Sequence, residues 1–204
     1  MADFPLVVSY YTTGTLYQLE VQNLIASLEK WGIPHLIEGI ESFGSWELNC
    51  AFKPFFLYSK LQELKRPLFW VDADAVFLQK PTLLDAFQAD LAVRMNDTLA
   101  ADHPSKVMSG SLFVNSTPSA RDLLKKWAGL CFQRLSDPER TEEFWDQIAL
   151  RDAIHHFASD VNVHKLPTAY CTIADHPHDA PHMPEAVIAH YQASRRYKRH
   201  INEI

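Results

Sequence analysis

Cysteine is scarce in this chain of 204 residues: Cys50, Cys131 and Cys171 are an odd number, widely spaced, with no C-x-x-C pair. That pattern speaks against a disulfide framework and a zinc ribbon, and points to a reducing, cytoplasmic setting. No apolar run approaches the ~18 residues of a membrane span, and Met1-Ala2-Asp3-Phe4-Pro5 lacks the basic region of a secretory leader. The expected protein is cytoplasmic or peripheral to a membrane, without a transmembrane segment. The sequons Asn96-Asp97-Thr98 and Asn115-Ser116-Thr117 then read as chance matches. A dominant sign of charge is lacking too. Nineteen Lys and Arg face 25 Asp and Glu, a formal charge of -6, which leaves no footprint for binding nucleic acid. Internal repeats, low-complexity segments and linker-like shifts in composition are also missing.

What is present suits one globular domain over residues 1–204: 47% of residues are hydrophobic and 22% charged. A chain of this size removes roughly 70% of its unfolded surface from water and needs no covalent staple. Leu6 to Tyr11 is a β-rich run, followed by Thr12-Thr13-Gly14-Thr15, whose hydroxyls suit a helix start. Val21, Leu24, Ile25, Leu28 and Trp31 recur at helical spacing until Gly32 and Pro34, and His35-Leu36-Ile37 begins a second strand. A helix over about 52–64 leads into the apolar run Leu68-Phe69-Trp70-Val71, which suits a buried strand. Further strands are expected at 90–95, 111–114 and 186–190. Thr117-Pro118 caps a helix with Ala120, Leu123, Leu124, Trp127 and Cys131 on its apolar face, and another helix is expected over about 141–157. Alternating strands and helices predict a three-layer α/β/α sandwich around a mainly parallel sheet.

The segment richest in chemistry runs from Leu68 through Val71 into Asp72-Ala73-Asp74. Strand alternation would put both carboxylates on one side, at the carboxyl end of a strand where open α/β sheets bind ligands. Paired carboxylates repel unless a cation or protons lie between them, and a hard divalent ion fills such a place. The plainer alternative makes both residues turn caps. Asp146 falls on one helical face with Leu150, Ala153, Ile154 and Phe157, so its carboxylate is expected to point inward near a helix N-terminus, beside the amide of Gln147. Its alternative is an acid that stabilises its own helix.

In sequence order, Asn49, Lys53-Pro54, Asp72-Ala73-Asp74, Met108-Ser109-Gly110-Ser111-Leu112-Phe113-Val114-Asn115, Asp146-Gln147-Ile148-Ala149-Leu150 and His190 resemble the motif series of DxD glycosyltransferases of the GT-A fold, in particular the nucleotide-diphospho-sugar transferases. The resemblance spans about residues 5–195. It implies a GT-A-like (Rossmann-like) domain, with a nucleotide-binding half over about 1–95 that ends in the motif strand, and a donor-sugar and acceptor half over about 96–204. It implies Mn2+ or Mg2+ held by Asp72, Asp74 and His190, with Asp72 also near the ribose. Tyr10 or Tyr11 with Thr12 would receive a uracil-like base, and only one of the two tyrosines can point inward. Asn49, Lys53, Trp70, Ser109, Gly110 and Arg195 complete the expected donor site, with Arg196 and Lys198 as further basic groups near the diphosphate. Asp146 and Gln147 would lie by the reacting sugar.

The function implied is transfer of a sugar from a nucleotide-sugar, a UDP-sugar by resemblance, to a hydroxyl of a glycan, a lipid-linked sugar or a protein, with retention. The family pattern departs at Ala193 and Ser194, which stand where a glycine is common. Two alternatives remain open: a haloacid-dehalogenase-type phosphatase using Asp72 and Asp74, and a noncatalytic nucleotide-sugar binding protein. The cluster Asp175-His176-Pro177-His178-Asp179-Ala180-Pro181-His182 reads as an acceptor-side loop, with a zinc site as the alternative.

Overall fold

The computed structural model describes residues 4–84, 87–157 and 159–195; Arg196 and Lys198 lie outside them. Strand β1 (Leu6–Thr12) leads to helix α1 (Tyr17–Lys30) and strand β2 (His35–Ile40). Two helices follow, α2 (Trp46–Ala51) and α3 (Lys53–Leu64), and then strands β3 (Leu68–Val71), β4 (Ala75–Phe77), β5 (Leu91–Met95) and β6 (Val107–Val114). Helices α4 (Pro118–Leu135) and α5 (Asp146–His156) precede three short strands, β7 (Val163–Lys165), β8 (Thr172–Ile173) and β9 (Ile188–His190).

The large sheet has the order β2-β1-β3-β6-β5-β7. β2, β3 and β7 pair in parallel with β1 or β5, and β6 runs antiparallel between β3 and β5, so the sheet is mainly parallel with one reversed strand. Side-chain alternation divides its two faces. Val8, Trp70 and Leu112 pack with α3, α4 and α5 through Leu57, Leu61, Trp127 and Leu150. Val7, Phe69 and Phe113 share the other core with Val21, Leu24 and Leu28 of α1 and with Phe77 and Ile188 of a small sheet, β4-β9-β8. The α/β/α sandwich expected from the sequence is present, its third layer shared by one helix and three short strands.

Several elements differ from the sequence expectation for local reasons. The helix expected over 52–64 is α3, and a separate short helix that was not expected, α2, precedes it. Ser45 caps α2 by accepting from the Leu48 N–H at 3.2 Å, and Pro54, suited to a first helical turn, opens α3 at Lys53–Pro54. The helix expected from 141 begins only at Asp146. Glu47 accepts from the Phe144 N–H at 2.6 Å and holds Arg140 through both guanidinium nitrogens, which keeps 140–145 out of a helix. The strand expected over 68–71 is β3 of the large sheet; Asp72–Asp74 then turns the chain into β4 of the small sheet, a strand that was not expected.

Candidate active site

That turn explains why the two carboxylates meet. Strand alternation is not the cause, as the sequence had suggested. The Asp72 N–H donates to the Gly110 carbonyl at 2.9 Å and the Ala75 N–H donates to the Asp72 carbonyl at 3.0 Å, which turns the chain between sheets. β4 then pairs with β9, so that Ala75 lies opposite His190. One ligand atom each of Asp72, Asp74 and His190 lies within 4.8 Å of the others. Three residues far apart in sequence are thus gathered where the two sheets join.

Each ligand candidate is oriented from behind. Asp74 accepts through Oδ2 from the Ala193 N–H at 2.8 Å, and its Oδ1 faces His190 Nδ1 at 3.7 Å. His190 Nε2 is 2.8 Å from Ser111 Oγ, which leaves Nδ1 as the nitrogen that faces the carboxylates. The indole N–H of Trp70 donates to Asp72 Oδ1 at 2.9 Å. Gly110 keeps space open: a Cβ there would lie 3.1 Å from His190 Cε1 and 3.5 Å from Asp72 Oδ2. Two carboxylates and one imidazole, with room cleared at Gly110, fit a hard divalent cation.

The charges agree with that reading. Burial, helped by the nearby Asp74, raises the Asp72 carboxyl, with Lys53 opposing. Asp74 is lowered: burial would raise it, but His190 and the Ala193 N–H outweigh that effect. Burial would lower His190, yet Cys171 and Asp74 push it up to about 10. A site that draws a proton onto a fully buried imidazole has the negative potential a metal ion would answer, and ligation would displace that proton.

Lys53 ties this cluster to α5. Its ammonium is 3.0 Å from Asp72 Oδ1 and 3.0 Å from Asp146 Oδ2, and it donates to the Ser109 carbonyl and hydroxyl at 3.2 and 3.3 Å. Burial disfavours its charge, but Asp146 and Asp72 overcome this and raise its pKa. Asp146 is buried at the first turn of α5, as the helical pattern predicted. Its Oδ2 is paired by charge with Lys53 but makes no well-directed hydrogen bond, so a buried acceptor remains unfilled in the site.

The remaining predicted residues fall into two groups. Tyr10, Tyr11, Thr12, Ser109 and Gly110 line the same cavity as the cluster, together with Lys53 and Asp146. Tyr10 is the inward tyrosine; it packs on Trp70 and donates its hydroxyl to the Asn49 carbonyl at 2.6 Å, while Tyr11 is half-buried. The others touch the cavity with their polar groups already engaged. Asn49 holds the preceding loop through Phe43 N–H and Ser42 Oγ, and Trp70, 2% exposed, acts through Asp72. Gln147 donates to the Pro104 carbonyl at 2.9 Å, and Arg195 pairs with Asp175 at 3.1 Å.

The Ala193 N–H and Cys171 were missed by sequence reasoning, and Ser111, quoted within a motif, was not given its contact with His190. A serine in an apolar strand, two positions after Ser109 and so on the same face, was the available signal for Ser111. A backbone N–H leaves none. In the histidine-rich loop, Asp179 is buried against Arg94, whose Nη2 donates to Oδ1 at 2.6 Å, and it also accepts from the Ile173 N–H at 2.8 Å. It therefore anchors the loop, and among the described residues Asp72, Asp74 and His190 are the metal-ligand cluster found.

The cavity that collects these residues has a volume of about 870 Å³. An α/β sandwich with acidic ligands at the carboxyl end of a parallel strand is the arrangement of the GT-A glycosyltransferases. The chain belongs to the nucleotide-diphospho-sugar transferase family, whose model matches residues 55–201, more than half of its length. Similar solved structures include a glycosyltransferase involved in the glycosylation of the major capsid of PBCV-1, at 11% identity and a TM-score of 0.64, covering 98% of this chain and 100% of that one. Another is the apo-form glycosyltransferase GlyE of Streptococcus pneumoniae TIGR4, at 14% identity and a TM-score of 0.55; 93% of this chain aligns with 55% of that one. No curated protein matches significantly.

Proposed function

We propose that the protein is a metal-dependent glycosyltransferase that moves a sugar from a UDP-sugar to an acceptor hydroxyl with retention at the anomeric carbon. The observation that carries this reading is the convergence of Asp72, Asp74 and His190 with the Lys53–Asp146 pair in one cavity. Asp72, Asp74 and His190 would hold Mn2+ or Mg2+, which when bound neutralises the charge of the departing nucleoside diphosphate as a Lewis acid. Tyr11 and Thr12, at the carboxyl end of β1 beside the motif turn, receive the base and ribose. Lys53 spans Asp72 and Asp146 and fixes the distance between the diphosphate end and the sugar end of the donor. The Asp146 carboxylate, held by Lys53 at the wall of the cavity, would stabilise positive charge that develops at the anomeric carbon.

The experiment is a turnover assay with a panel of UDP-sugars, with Mn2+, with Mg2+ and in excess chelator, reading UDP release and product configuration by NMR. Metal-dependent release with one donor and a retained product is expected. Release that survives the chelator, or an inverted product, contradicts the corresponding part of the proposal.

A further inference from the structure

The lining of the cavity includes residues beyond those assigned to the donor. Among them are Trp145, Leu99, His176, His178 and His182. At about 870 Å³ the whole cavity lies near the upper end of the range for small-ligand sites, which leaves room for more than a donor.

Trp145 directly precedes Asp146, lines the cavity and is 37% exposed, whereas Trp70 in the same lining is buried. Its Nε1–H donates to Glu143 Oε2 at 2.9 Å, so the polar edge is satisfied and the ring orientation is set in advance. A pre-oriented aromatic face costs little entropy on binding and suits the C–H face of a sugar ring. The loop with the three histidines is equally well built. Asp179 pairs with buried Arg94, donates its own N–H to the His176 carbonyl at 2.9 Å and accepts the His182 N–H at 2.8 Å.

Charge selects among acceptors. The Lys and Arg side chains that line the described cavity are each paired: Lys53 with Asp72 and Asp146, Arg94 with Asp179, and Arg195 with Asp175. An anionic acceptor would therefore meet cations already neutralised, whereas imidazoles donate and accept hydrogen bonds with hydroxyls. Building on the glycosyltransferase reading, we propose that the region walled by Trp145 and the His176–His182 loop is an acceptor subsite for an uncharged glycan, whose terminal sugar stacks on the Trp145 indole.

The test uses the full chain on a printed panel of neutral, sialylated and phosphorylated glycans, with and without UDP and Mn2+. Capture of neutral glycans is expected, with Trp145→Ala reducing it at least tenfold and Trp145→Phe retaining most of it. The UDP-dependent thermal shift should be the same in both variants, which shows that they are folded and bind the donor. Capture confined to charged glycans, no capture, or equal capture by Trp145→Ala overturns the proposal. If the wild type gives no UDP shift, the donor reading fails, while Trp145-dependent capture of neutral glycans still decides the acceptor subsite.

Discussion

Asp74 is held by the Ala193 N–H on one oxygen and faces His190 with the other, so its carboxylate is fixed in the orientation in which the proposal has it hold a metal ion. Asp74→Asn keeps the shape and removes one negative ligand, and Mn2+ affinity measured by electron paramagnetic resonance should fall at least about tenfold. Ser111→Ala acts one step further out: without the partner 2.8 Å from Nε2, His190 loses its fixed orientation, and affinity should drop by about 10–100-fold with an unchanged circular dichroism spectrum. Gly110→Ala would press a methyl group against His190 at 3.1 Å, and should weaken Mn2+ several-fold without unfolding the chain. Wild-type Mn2+ affinity in any of the three contradicts the assigned geometry. At this scale the sequence was informative about identity and less so about cause. Asp72, Asp74, His190 and Asp146 were legible from strand-end and helix-face patterns. The Ala193 N–H that orients Asp74 depends on backbone position, which residue type does not encode.

At the scale of elements, periodicity located α1, α4 and β1 to β3 well because each has a clear apolar stripe or run. It misplaced the boundaries where a long-range contact decides. Glu47 on α2 holds 140–145 out of a helix, and β4 went unseen because it forms against β9, more than a hundred residues later. The Arg94–Asp179 pair belongs to this scale too, since it joins β5 to the loop after β8. Burial alone would raise Asp179, but Arg94 and the Ile173 N–H hold its carboxyl below the ordinary carboxylate value. Its stabilising contribution is therefore complete above the unfolded pKa of about 3.9 and is lost as pH falls through the lower folded value. Asp179→Asn leaves a buried guanidinium without its counter-charge and should cost about 3–5 kcal/mol near neutral pH in urea unfolding, a deficit that shrinks below about pH 4. A deficit that stays constant down to pH 2, or none at pH 7, contradicts this role.

For the whole molecule, the small sheet brings His190 back to the motif turn that leaves the large sheet, so the Asp72–Asp74–His190 cluster lies where the two sheets join. The mainly parallel sandwich was legible from alternating strands and helices. The reversed β6 and the second sheet were not, because strand direction depends on pairing partners that a local pattern does not reveal. Because Asp72 follows a strand of the large sheet and His190 ends one of the small sheet, an ion held between them as proposed should stabilise the molecule as a whole. The most direct measurement is the thermal unfolding of the wild type with UDP, with Mn2+, and with both. A shift that is largest with both ligands and is abolished by chelator or by Asp74→Asn is the result predicted. A UDP shift that is the same with Mn2+, with chelator and in Asp74→Asn would contradict the metal-dependent donor site.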